Sequence, residues 1–140
     1  MFLNQLLLFQ LVATAMMTDI IWLIQRVQYP IFLGLDKDRF PDWHELHSAR
    51  ITWIVAPLMI LELFLNESHF LIQIFLFIST GLIWLLTFFV SVPIHKKLSE
   101  NGFDQTLIFS LIRTNWSRTL CYSIKLVLVI YLCHLSFTVA

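Results

Sequence analysis

Residues 42–65 read DWHELHSARITWIVAPLMILELFL. The apolar part alone, from Ile51 to Leu65, falls short of the roughly 20 helical residues needed to cross a hydrocarbon core about 30 Å thick. It becomes long enough only if the helix begins near Asp42 or Trp43 and carries His44, Glu45, His47 and Arg50 in its first turns. On that reading four apolar stretches span a membrane, at about 3–24, 46–65, 70–92 and 119–137. Only helices and closed barrels can do so, and runs without alternation or regular hairpin turns fit helices. The expected fold is therefore all-α, an integral membrane four-helix bundle.

Composition points the same way. A mean hydropathy of +0.80, with 13 Phe, 5 Trp and only 3 Gly, excludes a soluble globular protein of ordinary make-up. At 140 residues the chain reads as a single domain, 1–140. The N-terminus has no positive n-region and no small-residue cleavage site, so it reads as the first span rather than a removable signal. Cys121 and Cys133 stand twelve residues apart in one apolar segment, about 18 Å of helical rise, and read as small apolar residues. The connection Asn66–Phe70 is so short that spans two and three should form an antiparallel hairpin.

Net charge is zero, but its distribution is uneven. Lys and Arg occur at 26, 37, 39 and 50 and again at 96, 97, 113, 118 and 125, with none at either tip or in the 66–69 turn. The positive-inside rule then puts the longer loops, about 25–45 and 93–118, in the cytoplasm and both termini outside. The expected location is the cell membrane, multi-pass, with a bacterial inner membrane as the setting. Within the second loop, Asn101-Gly102 is a turn signal, and Asp104 to Arg113 is an amphipathic stretch expected along the membrane surface or against the helix ends.

This topology gathers polar groups at one side of the membrane. His44, His47 and Arg50 follow helical spacing and share a face. Trp84, Thr87, Ser91 and His95 form a polar seam on span three that ends at the same depth. Arg113, Asn115, Trp116 and Arg118 stand at the start of span four, and Arg26 and Gln28 close span one. Asp19 and Lys125 lie deeper, each seven residues inside an arginine, and intramembrane charges usually pair, so an Asp19–Lys125 contact is expected.

Three chemistries suit His44, His47 and His95: ligation of a transition metal or haem iron, proton transfer near neutral pH, and binding of lipid phosphate together with the arginines. The plain alternative is a polar fringe capping helix ends. The metalloprotease order His-Glu-x-x-His is absent, because HELH is one residue short. His47 and His95, on different spans, suit a haem better than His44 and His47 do. Haem or a transition metal is thus left open as cofactor, and none is required.

At RVQYPIF, FPDWHELHSARITWIVAPLMILEL, VPIHKKLSENGFD and LIRTNWSRTLCYSIK the chain resembles a family of small bacterial four-span membrane proteins. The shared pattern is Val-Gln-aromatic-Pro, His-x-x-His-x-x-Arg, Pro-x-His-x-x-Leu and Thr-Asn-Trp-x-Arg-Thr. That resemblance implies the fold and marks Gln28, His44, His47, Arg50, His95, Asn115, Trp116 and Arg118 as site residues. More loosely the chain is similar to the anthrone-oxygenase-like family, whose fungal members oxidise polycyclic anthrones to quinones with dioxygen. Those proteins tend to have Asn where this chain has His95.

The expected function is a cytoplasm-facing pocket for a flat, hydrophobic, oxygen-bearing molecule such as a quinone or phenol, with oxidoreductase chemistry. His47 or His95 would act as general base, Arg50 or Arg118 would stabilise the oxyanion, and Gln28, His44, Asn115 and Trp116 would bind the ligand. The competing expectation is a non-catalytic module that binds haem, metal, lipid or a partner protein. Membrane lipids and a hydrophobic small molecule are the expected partners. No nucleotide motif or nucleic-acid fingerprint is present, which removes kinase and nuclease readings.

Overall fold

Two Xaa-Pro steps shape the bundle. In a computed structural model that describes residues 2–65 and 70–138, with side chains over 5–65 and 74–138, helix α1 (Phe2–Leu23) runs through a π-helical turn, Ile24–Gln28, into α2 (Tyr29–Leu33). Helix α4 (Phe70–Leu86) likewise runs through a second π turn, Thr87–Ser91, into α5 (Val92–Asn101). Each turn ends two residues before a proline, Pro30 or Pro93. Proline lacks an N–H and its ring clashes with the carbonyl four residues back. The preceding residue accordingly bonds one position further, Tyr29 N–H to Ile24 O and Val92 N–H to Thr87 O. The widened turn re-aims the side chains around it.

The remaining helices are α3 (Phe40–Phe64) and α6 (Gln105–Thr138). Gly102, with φ +74°, ends α5 in a conformation that favours glycine. The Asp104 carboxylate then accepts from the N–H groups of Thr106 and Leu107 at 2.8 and 3.1 Å, starting α6. The amphipathic stretch 104–113 is thus the first three turns of the last helix, not a separate surface segment. Among the described residues all elements are helical, and four helices are long and apolar enough to cross a membrane, Gln5–Leu33, Phe40–Phe64, Ile74–Asn101 and Gln105–Thr138. They extend beyond the stretches expected from hydropathy, because the polar residues at one end continue the helices instead of leaving them. The hairpin connection expected at 66–69 lies outside the described residues.

α6 lies centrally, packed chiefly along α1, and the side chains it buries alternate in character. Ile108 and Leu111 join Tyr29, Phe32, Phe40 and Leu98 in an apolar layer. Asn115, Arg118 and Thr119 form a polar layer beneath it. Tyr122 joins Met17, Ile21, Met59 and Ile83, Lys125 is polar again, and Val129, Leu132 and Cys133 pack with Leu7 and Leu76. The outside is the reverse of a soluble protein: Trp53, Phe64, Phe89 and Val127 are 82, 76, 76 and 66% exposed. Such a surface suits hydrocarbon, not water.

The expected Asp19–Lys125 contact is not formed. Lys125 Nζ instead lies 3.1 Å from Glu62 Oε1 and donates to Thr80 Oγ1 at 2.9 Å, while Thr14 donates to Glu62 at 2.8 Å. All four long helices meet at this pair, and Asp19 is exposed on the outside of α1. The error was one of depth. Counted from the true helix ends, Lys125 lies 20 residues into α6 and Glu62 lies 22 into α3, about 30 and 33 Å of rise, whereas Asp19 lies only 14 residues before Leu33, about 21 Å.

Candidate functional site

A cavity of about 530 Å³ is lined by all four long helices. Its long walls are apolar, from Met17, Ile21, Val55, Met59, Ile83 and Phe88, with Tyr122 alongside. Tyr29, His47, His95 and Arg118 line its other end. Both π turns border it, the first delivering Tyr29 and the second Thr87, Phe88 and Ser91. An apolar chamber of this size with a few convergent polar groups is the usual form of a small-molecule site.

The polar end is a hydrogen-bonded chain with a single orientation when its rings are neutral. Ser99 gives its one proton to the His95 backbone carbonyl at 3.1 Å, so its Oγ accepts from His44 Nδ1 at 3.4 Å. His44 Nε2 is then an acceptor, and receives His95 Nδ1–H at 2.9 Å. His95 Nε2 in turn accepts from the Tyr29 hydroxyl at 3.1 Å. From the opposite end, Arg118, which can only donate, gives Nη2–H to Tyr29 Oη at 3.4 Å and leaves the tyrosine proton for His95. Both ends thus dictate the same tautomers. Ring packing holds the chain: His44 stacks between Phe40 and His95 with centroids 5.4 and 5.1 Å away.

Arg118 is only 9% exposed, and among the described residues no carboxylate lies within ion-pair distance of it. Its partners are neutral oxygens: Asn115 Oδ1, Thr87 Oγ1 at 3.4 Å and the Tyr29 hydroxyl. Asn115 is fixed by donating to Gln25 Oε1 at 2.7 Å, and Gln25 donates to the Ile112 carbonyl at 3.1 Å. Arg118 Nε, Trp84 Nε1 and Ser48 Oγ are buried without a hydrogen-bond partner. All three residues line the cavity. Buried donors left unpaired cost roughly 1–3 kcal/mol each, so a ligand carrying acceptor oxygens has groups waiting for it.

The structure brings His44, His47, His95, Asn115 and Arg118 into one neighbourhood. His47, His95 and Arg118 line the cavity, while His44 and Asn115 stand behind the wall. The Trp84, Thr87, Ser91, His95 seam lines it throughout. Gln28 and Arg50 do not reach it. They line a separate, shallower cavity of about 440 Å³ between α2 and α3, where Arg50 is exposed. Trp116 is half-buried, edge-on to Trp22 at 5.6 Å, and touches neither cavity. Sequence reasoning missed Tyr29, Gln25, Ser48 and Ser99. The one available signal was the aromatic before Pro30, which a span end disguises as an interfacial residue.

The trio expected as metal ligands converges as rings but not as a ligand set. Among the described residues no group of three or more His, Cys, Asp or Glu side chains is placed to hold a metal ion. Both His95 nitrogens are engaged, one with His44 and one with Tyr29, and His44 is likewise bound at both. Neither offers a free lone pair to a metal or to haem iron. No family model, no curated protein and no solved structure matches the chain.

Proposed function

We propose that the chain is a multi-pass protein of the cell membrane that binds a quinone-like or phenolic small molecule in the 530 Å³ cavity and acts on it as an oxidoreductase. The Lys and Arg distribution favours an orientation with both termini outside and the His44–His95 end toward the cytoplasm. The carrying observation is the donor surplus: a buried arginine with no carboxylate within ion-pair distance among the described residues, beside unpartnered Trp84 and Ser48, at the end of an apolar chamber. Acceptor-bearing rings complement both features. The likeness to the bacterial four-span family, and more loosely to the anthrone-oxygenase-like family, belongs to the same proposal.

In this reading the rings lie among Met17, Val55, Met59 and Ile83, and the ligand oxygen meets Arg118. A phenolic O–H loses its proton to the imidazole end, where His47 and His95 line the cavity, and Arg118 stabilises the phenolate. The electron-rich anion is the form that dioxygen oxidises. Purified protein supplied with 1,8-dihydroxyanthrone should consume dioxygen above the protein-free rate, and Arg118→Met should remove that excess. Equal consumption by both proteins would contradict the oxidoreductase reading.

A further inference from the structure

We propose that Tyr29, His95, His44 and Ser99 form a proton relay that carries the ligand's phenolic proton along the wall of the occupied cavity to the protein surface. The proposal rests on the phenol reading above. Its starting point is His44, which is fully buried, lines neither of the two cavities described above, and yet is hydrogen-bonded through both ring nitrogens. Both polar atoms of the buried ring are satisfied, and because the two bonds run head to tail they also connect His95 to Ser99 through it. Ser99 at the far end is exposed.

The need for such a path is geometric. A flat apolar ligand filling the chamber excludes the water that would otherwise carry a proton from Tyr29 to the outside. Tyr29, His95 and Ser99 belong to the cavity wall itself, and His44 links the last two from behind it. Protons and bonds balance as follows. The phenol O–H breaks and its proton passes to Tyr29 Oη as the tyrosine proton moves to His95 Nε2. His95 Nδ1 gives its proton to His44 Nε2, His44 Nδ1 gives one to Ser99 Oγ, and the serine proton leaves to bulk water. The net change is one phenolate inside and one hydronium outside, with no electrons moved. Both imidazoles finish as the opposite tautomer and are reset when the phenol is regenerated or replaced.

His47 has no part in this path, although its ring lies 6.2 Å from that of His95. Phenylalanine can replace His44 with its stacking on Phe40 and His95 retained, which cuts the relay without emptying the core. The test uses the full chain in phosphatidylcholine nanodiscs with 2-naphthol as probe. Stopped-flow absorbance follows naphtholate, and a pH indicator in weakly buffered solution follows the proton. The wild type should release one proton per naphtholate formed. His44→Phe should bind naphthol as before but slow release roughly 100-fold. Ser99→Ala should also slow it, and Ser99→Thr should restore it. Naphtholate formed by the wild type without proton release, or release by His44→Phe at the wild-type rate, would overturn the relay alone. Absence of naphthol binding would overturn the pocket reading and the relay with it. Nitrogen-15 spectra of the ligand-free protein provide an independent check: His44 and His95 should both carry their proton on Nδ1, and Nε2-protonated rings would refute the path.

Discussion

A guanidinium buried at Arg118 among neutral oxygens is held at a cost of several kcal/mol, and nothing in the surrounding apolar layers repays it. Glu62 and Lys125 are the contrasting case, with both charges buried and paired with each other. Removing one partner of such a pair strands the other. Glu62→Gln should therefore destabilise the protein by about 3–5 kcal/mol, and the Glu62→Gln, Lys125→Met double variant should recover most of the loss. Asp19→Asn, on the exposed face of α1, should change stability by less than about 0.5 kcal/mol. Thermal unfolding in one detergent ranks all three, and an Asp19 effect equal to that of Glu62 would refute the assigned pairing. The sequence made the convergence of His44, His47 and His95 legible because helical spacing and a shared boundary sufficed. The partner of Lys125 was not legible, because pairing depends on relative depth, and depth depends on where each helix truly starts.

At the scale of elements, the two π turns connect sequence to site most directly. Tyr29-Pro30 and Val92-Pro93 each displace the backbone bond by one residue, and each displacement presents side chains to the cavity. Replacing Pro93 with alanine restores an N–H and permits ordinary helix through 87–91. Thr87 and Ser91 would then rotate away from Arg118 and the chamber. We expect ligand affinity to fall roughly tenfold, about 1.4 kcal/mol, while thermal stability holds or rises. An isothermal titration showing unchanged affinity would mean that the π turn is incidental. The prolines themselves were visible in the sequence. Their effect on helix register was not, since a proline near a span end is equally compatible with a plain kink. The same ambiguity hid Tyr29, which supplies the hydroxyl linking Arg118 to the histidines.

For the whole molecule, the exposed Trp, Phe and Val side chains and the alternating buried layers describe a bundle whose exterior suits lipid and whose polar chemistry is internal. Four helices of sufficient length and apolarity were readable from hydropathy, and they are present. Their greater length was not readable, because the polar residues that hydropathy assigns to loops form helical turns at the His44–His95 end. The proposed orientation makes Asp38 cytoplasmic and Thr138 external. In intact cells expressing single-cysteine variants in a background without Cys121 and Cys133, an impermeant thiol reagent should label Thr138→Cys and spare Asp38→Cys. The reverse pattern would invert the orientation and move the relay's outlet to the outer side.

The central claim is that Arg118 holds the oxygen of an aromatic ligand inside the cavity. The most direct measurement is a binding titration, followed by tryptophan quenching, of 1,4-naphthoquinone and of naphthalene against the wild type and Arg118→Met. A charge-assisted hydrogen bond contributes about 1.5–3 kcal/mol, so the wild type should prefer the quinone by roughly 10- to 100-fold and the variant should lose that preference while still binding naphthalene. Equal affinity of the wild type for both ligands, or a preference that survives in Arg118→Met, would contradict the account.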